Sequence, residues 1–406
     1  MVKVLMFGWE FPPFTKGGLG TACYGLTKSL SKLGIKILFV MPKLPKDAKA
    51  EFVELISDED ELSSLEIIET KTLLHQYITS EEYSKKLQFL KINSNSSKDN
   101  WQIYGSNLYE EVLRYAQLAR SIAKKHDFDL IHAHDWLTYL AGIEAKKISK
   151  KPLIVHVHAT EFDRSPYPNE FVYDIEKKGI HYADAIICVS NLTKKIVVEK
   201  YGADPKKVFV VHNGIDYEEK SISVEKNEKL VLFLGRITYQ KGPEFFIEVA
   251  KKVLQFEPDT KFLVVGEGDM LPWLIHKVAS EGLGGKILFT GFLRGKELEK
   301  AYALADVYVM PSRSEPFGLT PLEALLCGTP AIISKQSGVS EVLNHALKVD
   351  FWDVDEMTNK IVALLRYKAL HNTLKHHGKE EIKTLSWDKA AEKVKCIYLC
   401  TLKTYF

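Results

Sequence analysis

The opening of this 406-residue chain decides its fold: "VKVLMF" (2–7), a glycine-rich turn, "GTACYGLTKSLSKL" (20–33) and "IKILFVM" (35–41). The outer two runs are continuous and apolar. The middle one repeats its apolar positions at helical spacing and stops at Gly34, and a glycine just past a periodic segment ends helices. The pattern is strand, helix, strand. It returns in "DLIHAH" (129–134), "PLIVHVH" (152–158), "ADAIICVS" (183–190) and "KVFVVHN" (207–213). Continuous Val/Ile/Leu runs joined by helices predict a parallel sheet covered on both faces.

Residues 42–105 interrupt this rhythm with Glu, Ser, Lys and Asn, which reads as a solvated insertion, and 213–229 is polar and aperiodic, as a linker is. The alternation then restarts in "LVLFLG" (230–235), "KFLVVG" (261–266), "KILFTG" (286–291), "DVYVMP" (306–311) and "PAIIS" (330–334). The predicted architecture is therefore α/β: two doubly wound, Rossmann-like domains facing a cleft. The first covers 1–215 and the second 229–385. A helical, amphipathic tail over 386–406 docks on the body. Such sheets bind ligands beyond the carboxyl ends of their strands.

Composition removes several alternatives. The 55 basic and 53 acidic residues nearly cancel, to a formal +2, which argues against a dedicated nucleic-acid surface. The five cysteines form no zinc-spaced pair and are expected to be reduced and mostly buried. The first apolar run is too short for a signal peptide, and no run approaches the about 20 apolar residues of a membrane helix. A cytoplasmic protein is the expectation.

Chemistry concentrates at strand ends. "LVLFLG" runs into "RITYQKG", putting Arg236 at a carboxyl end and Lys241 beside the next helix, with Gly235 and Gly242 permitting close backbone approach. Two fixed cations at a helix N-terminus suit a diphosphate, although cations are also common at such turns. In "FPPFTKGGLGTA" (11–22) the backbone of Gly17, Gly18 and Leu19 can cradle a phosphate, with Lys16 adding charge. Neither a Walker loop nor GxGxxG is present. "HAHDW" (132–136) and "HVHATEFDR" (156–164) supply His132, His134, His156 and His158. Alternation turns both members of each pair to one strand face, so some are expected in the core, and no closing metal-ligand set is expected. Asp135 and His158, at strand ends, are candidates for touching a polar substrate. In "EPFGLTPLE" (315–323), Thr320 to Glu323 fits a capping box, so Glu323 has a structural explanation. Glu315, in a loop at a strand mouth, is better explained by ligand hydroxyls.

Together these segments resemble a retaining glycosyltransferase of the two-Rossmann-domain (GT-B) fold. "EPFGLTPLE" resembles the Glu-x7-Glu motif of glycosyltransferase family 4, "GRITYQKG" its diphosphate clamp, "NGID" (213–216) its end-of-first-domain signature and "SWD" (386–388) the start of its returning C-terminal helix. "KGGLGTA" and "HAHDW" are similar to segments of glycogen and starch synthases. Starch-type synthases usually lack the second glutamate, so its presence places the chain nearer family 4.

The resemblance assigns Arg236 and Lys241 to the donor diphosphate, Gly18 and Leu19 to the phosphates, and Glu323 to the ribose. It assigns Glu315 to the transferred sugar, and Asp135 and His158 to positions beside that sugar. Lys16, Gly17, Phe317, Gly318, Leu319 and Thr320 complete the expected donor surface. It implies no metal and no cofactor, a nucleotide-diphosphate sugar as co-substrate, and a C-terminal helix packed on the first domain. The implied acceptor is an α-glucan, with a lipid-linked or cell-surface glycan as the alternative. Other uses of this fold, as an epimerase, a phosphorylase or an inactive sugar-binding protein, stay open.

Overall fold

A computed structural model describes residues 2–12, 17–41, 108–217 and 228–405, together with the backbone of 65–69. Lys16 and nearly all of the expected 42–105 insertion lie outside the described residues.

The first domain is a seven-stranded parallel sheet. Its strands are β1 (Lys3–Phe7), β2 (Lys36–Met41), β3 (Leu65–Glu69), β4 (Leu130–His134), β5 (Leu153–Val157), β6 (Ala185–Cys188) and β7 (Val208–Val210), in the spatial order β3-β2-β1-β4-β5-β6-β7. Alternate residues feed two separate cores. Leu5, Phe7, Ile131 and Val155 point to one face, while Val4, Met6, Leu130 and Ile154 point to the other. Burial on both faces is what makes these runs continuously apolar.

The second face is covered by α1 (Gly18–Lys32) and by α2 (Trp387–Tyr405), the C-terminal helix. Trp387 lies so close to α1 that a Cβ on Gly25 would stand 2.3 Å from its indole nitrogen. Ser29 donates to Asp388 at 2.6 Å, and the Lys395 ammonium donates to the Leu33 carbonyl at 2.8 Å. The tail thus belongs to the first domain. Its outer face carries Cys396 and Cys400, which are exposed, contrary to the expectation of mostly buried thiols; Cys23 and Cys188 are buried. No helix of the described residues is long and apolar enough to cross a membrane.

The second domain holds six parallel strands: β8 (Leu230–Leu234), β9 (Lys261–Val265), β10 (Ile287–Gly291), β11 (Val307–Met310), β12 (Ala331–Ser334) and β13 (Leu347–Val349). Their order is β10-β9-β8-β11-β12-β13. The edge strand β13, three residues with a lysine at its centre, escapes the sequence pattern because it has no apolar run. In both sheets the strand order reverses beside the first strand, between β1 and β4 and between β8 and β11. A crevice opens at each such reversal.

The chain crosses between domains twice, at the same place. Ile215, leaving the first domain, donates its N–H to the Leu385 carbonyl at 2.9 Å and pairs in parallel with Ser386, where the chain returns. Gly214 is pressed against the Ser386 backbone, with no room for a side chain.

Candidate active site

Each crevice receives the chemistry-bearing residues of its own domain. In the second domain, β8 ends at Leu234, and the turn that follows carries Gly235, Arg236 and then Lys241. Gly242 adopts φ +61°, and a Cβ there would stand 2.3 Å from the Pro311 carbonyl. Only glycine lets the turn press against the end of β11 and start the next helix. Lys241 is thereby carried across to Glu315, with which it forms a mostly buried ion pair, and Ser312 also donates to that carboxylate at 3.4 Å. Leu234, Gly235, Lys241, Ser312, Glu315 and Thr320 line a small cavity at this point. Glu315, expected to serve a ligand, is thus also the counter-ion of Lys241.

The "FGLTPLE" segment departs from expectation. The helix over Thr320–Leu326 has Leu319 before it in helical conformation, so Thr320 is its first residue rather than its cap, and no capping box forms. The Thr320 hydroxyl meets the Tyr308 hydroxyl at 2.7 Å, and Glu323 accepts from Tyr302 at 2.7 Å. Glu323 is therefore released from the capping role and lines a cleft shared with Thr21, Tyr24 and Asp216 of the first domain. Phe317 is packed in the second-domain core, and half-buried Leu319 touches the apolar residues of both domains. Gly318 sits at φ +103° over Glu315.

In the first domain, the turn after β1 brings Glu10 beneath the glycine-rich loop. Its carboxylate accepts from the Gly20 N–H at 3.2 Å, and a Cβ on Gly17 would lie 2.4 Å from it. Burial pushes this carboxyl up to about 7, while the Gly20 bond and then the positive field of Arg236 oppose part of the rise. That field couples the two domains electrostatically at this point. Helix α1 starts at Gly18 with no side-chain cap, and its first N–H groups, at Gly18 and Leu19, have no partner within the helix itself.

Asp135 does not present its carboxylate to solvent. It is buried at φ +57°, an uncommon backbone for a residue other than glycine, and its Oδ1 accepts from the His158 N–H at 2.7 Å and the Ala159 N–H at 3.3 Å. Burial raises this carboxyl to about 6. Asp135 therefore shapes the loop that carries His158. The same loop is fixed by Asp163, which accepts from the Thr160 N–H at 2.7 Å, and by buried Arg164, which pairs with Glu176 at 3.0 Å and Glu161 at 3.3 Å.

The two crevices meet. Ser314, next to Glu315, donates to Asp163 at 2.5 Å. Glu341 of the second domain accepts from the Asn191 and Leu192 N–H groups, both at 2.9 Å, and bonds His212 at 2.8 Å. Gly338 leaves no space for a side chain against Ser190 and the Pro316 carbonyl. Sequence spacing offered no sign of Glu10, Asp163 or Glu341, because each acts on a partner supplied by another element.

The four histidines come together as one array on a single sheet face. Ring centroids are 4.2 Å apart for His132–His134 and for His156–His158, and 5.4 Å for His132–His156. The His158 Nε2 lies 2.9 Å from the His134 Nδ1. Burial holds His132 and His158 down to about 3, so both are neutral.

Two family models match this chain: "Glycosyltransferase Family 4" over residues 95–219 and "Glycosyl transferases group 1" over 215–381. Among curated proteins, an uncharacterized glycosyltransferase of Methanocaldococcus jannaschii is 28% identical, covering 98% of each chain. The glycogen synthase of Mycobacterium tuberculosis is 25% identical over 84% of this chain and 80% of its own. A UDP-Gal:alpha-D-GlcNAc-diphosphoundecaprenol alpha-1,3-galactosyltransferase of Escherichia coli is 26% identical over 68% of this chain and 77% of its own. Among solved structures, the sucrose-phosphate synthase of Thermosynechococcus elongatus superposes with a TM-score of 0.77 at 20% identity over the whole of both chains. Anabaena HepE in complex with UDP and glucose superposes with a TM-score of 0.70 at 17% identity, over 97% of this chain and 98% of its own.

Proposed function

This chain is a glycosyltransferase of the family 4, GT-B type, and from that premise we propose that it moves glucose, with retention, from ADP-glucose or UDP-glucose to the non-reducing end of an α-1,4-glucan. One observation carries the reading: the Lys241–Glu315 pair abuts the Ser314–Asp163 contact, so the cationic turn and the His158 loop converge on one crevice.

In this scheme Arg236 and Lys241 hold the diphosphate and stabilise the charge that builds on it as the glycosidic bond breaks. The N–H groups of Gly18 and Leu19, in the first turn of α1, supply hydrogen bonds from the opposite wall. Arrival of the diphosphate draws Lys241 away from Glu315, and the released carboxylate accepts from hydroxyls of the transferred sugar. Glu323 takes the ribose hydroxyls. His158, neutral and held by Asp135 through its backbone, binds the sugar from the first domain. The acceptor hydroxyl attacks on the face that the diphosphate leaves, and its proton passes to a departing phosphate oxygen. No divalent ion is required at the diphosphate, because the two cations fill that place. Closure of the cleft assembles the parts.

The synthase-like "KGGLGTA" and "HAHDW" segments and the mycobacterial relative support a glucan acceptor. The relative acting on a diphosphoundecaprenol-linked sugar supports a lipid-linked acceptor as the second reading. Incubation with labelled ADP-glucose or UDP-glucose, with and without glycogen, separates them. Label entering glycogen is expected. Donor hydrolysis unaffected by glycogen, with label entering an undecaprenol-linked acceptor instead, would move the assignment to the second reading.

A further inference from the structure

The four-histidine array holds polar atoms that the proposed transfer does not use. His132, His134 and His156 are buried, and one ring nitrogen from each lies within 4.8 Å of the other two. His132 and His134 share an arrangement. Each has its Nδ1 engaged, with the Tyr398 hydroxyl at 2.6 Å and the His158 Nε2 at 2.9 Å, while its buried Nε2 has no partner among the described residues. Among the described residues, neither ring nitrogen of His156 has a partner. Buried polar atoms are rarely left unsatisfied, and four such nitrogens on three neighbouring rings call for a common occupant.

We propose that His132, His134 and His156 form a buried site for a divalent transition-metal ion of the zinc type. Zinc takes three imidazole nitrogens readily, at about 2.0–2.1 Å each, and a rotation of the rings about their side-chain bonds brings nitrogens at this separation into range. A ligating histidine usually donates its other ring N–H to a nearby acceptor, which fixes the tautomer and the ring orientation. The Tyr398 hydroxyl and the His158 Nε2 stand where His132 and His134 need those acceptors.

The site has a consequence for its neighbour. With metal on the His134 Nε2, the His134 Nδ1 carries the hydrogen and donates it to His158. His158 then bears its own proton on Nδ1. Spacing along the chain does not reveal the site, since the third ligand comes from the neighbouring strand, where His156 is in register with His134.

A second set, Cys23 with His134 and His158, is also close enough to bind an ion, and the test separates the two. The untagged full chain, produced in zinc-supplemented medium and dialysed against a weak chelator, is expected to retain about one zinc per chain by inductively coupled plasma mass spectrometry. His156→Gln should reduce this at least tenfold, whereas Cys23→Ser should leave it unchanged. The cobalt-loaded wild-type protein gives a readout that needs no variant to fold: visible d–d bands without a thiolate charge-transfer band. Wild-type protein that retains no metal would overturn the proposal, as would full metal in His156→Gln or a thiolate band in the cobalt protein. None of these readouts depends on glycosyl transfer.

Discussion

Lys241 owes its position to Gly242 and not to the reach of its own side chain, and its pairing with Glu315 sets what its removal should do. Lys241→Ala removes one fixed charge from the leaving diphosphate and should lower kcat by about 10²–10³-fold, the usual effect of losing a preorganised stabilising group. Circular dichroism should report a native fold, and a wild-type rate would refute the clamp. Glu323→Gln keeps an acceptor for Tyr302 and should leave the melting temperature nearly unchanged while raising KM for the donor. An effect on melting alone would return Glu323 to a structural role. Glu10 titrates at about 7 against an ordinary 4.5. The folded protein thus keeps a proton that the unfolded chain has shed, and the stability this provides is full below 4.5 and lost as the pH rises through 7. At about 1.4 kcal/mol per pH unit the loss approaches roughly 3 kcal/mol. Glu10→Gln should abolish it, so its melting temperature relative to wild type should climb between pH 5 and 8. Parallel curves would show that Glu10 is not the group concerned.

At the scale of elements, alternating strand and helix were legible wherever strands are buried on both faces, because such strands must be apolar and the helices between them amphipathic; the short edge strand β13 was not. The cationic turn after β8 was legible for the same reason: strand ends can be found wherever strands can. What the chain could not announce was contact between elements. Glu10 under the glycine loop, Asp163 against Ser314 and the closing of the histidine array all require knowing which strands lie side by side. The capping box at Thr320 failed for a local reason, since one residue of drift in the helix start turned a cap into a first-turn residue. The docking of α2 can be tested directly. Trp387→Ala would empty the space over Gly25 and should cost about 3–5 kcal/mol, read from urea unfolding. A cost below 1 kcal/mol would mean that the helix is held elsewhere.

For the whole molecule, the proposed mechanism makes activity depend on how the two domains meet. The Glu341 carboxylate joins them by accepting hydrogen bonds from the first turn of the helix at Asn191–Tyr201 and from His212. Gly338 sits in the same contact with no room to spare. Gly338→Ala should therefore prop the cleft open, enlarging the radius of gyration in small-angle scattering and lowering kcat with the melting temperature of each domain retained. Unchanged scattering would mean that the contact yields without separating the domains.

Because the chain leaves the first lobe at Ile215 and re-enters it beside Leu385, the second lobe is in topological terms a single insert with neighbouring ends. On the proposed mechanism the two cations that hold the diphosphate, Arg236 and Lys241, lie inside that insert, while Gly18 and Leu19 face them from outside it. On the proposed donor assignment, exchanging this cassette through its two adjacent splice points would change the nucleotide that is read while the rest of the polypeptide keeps its wrapping.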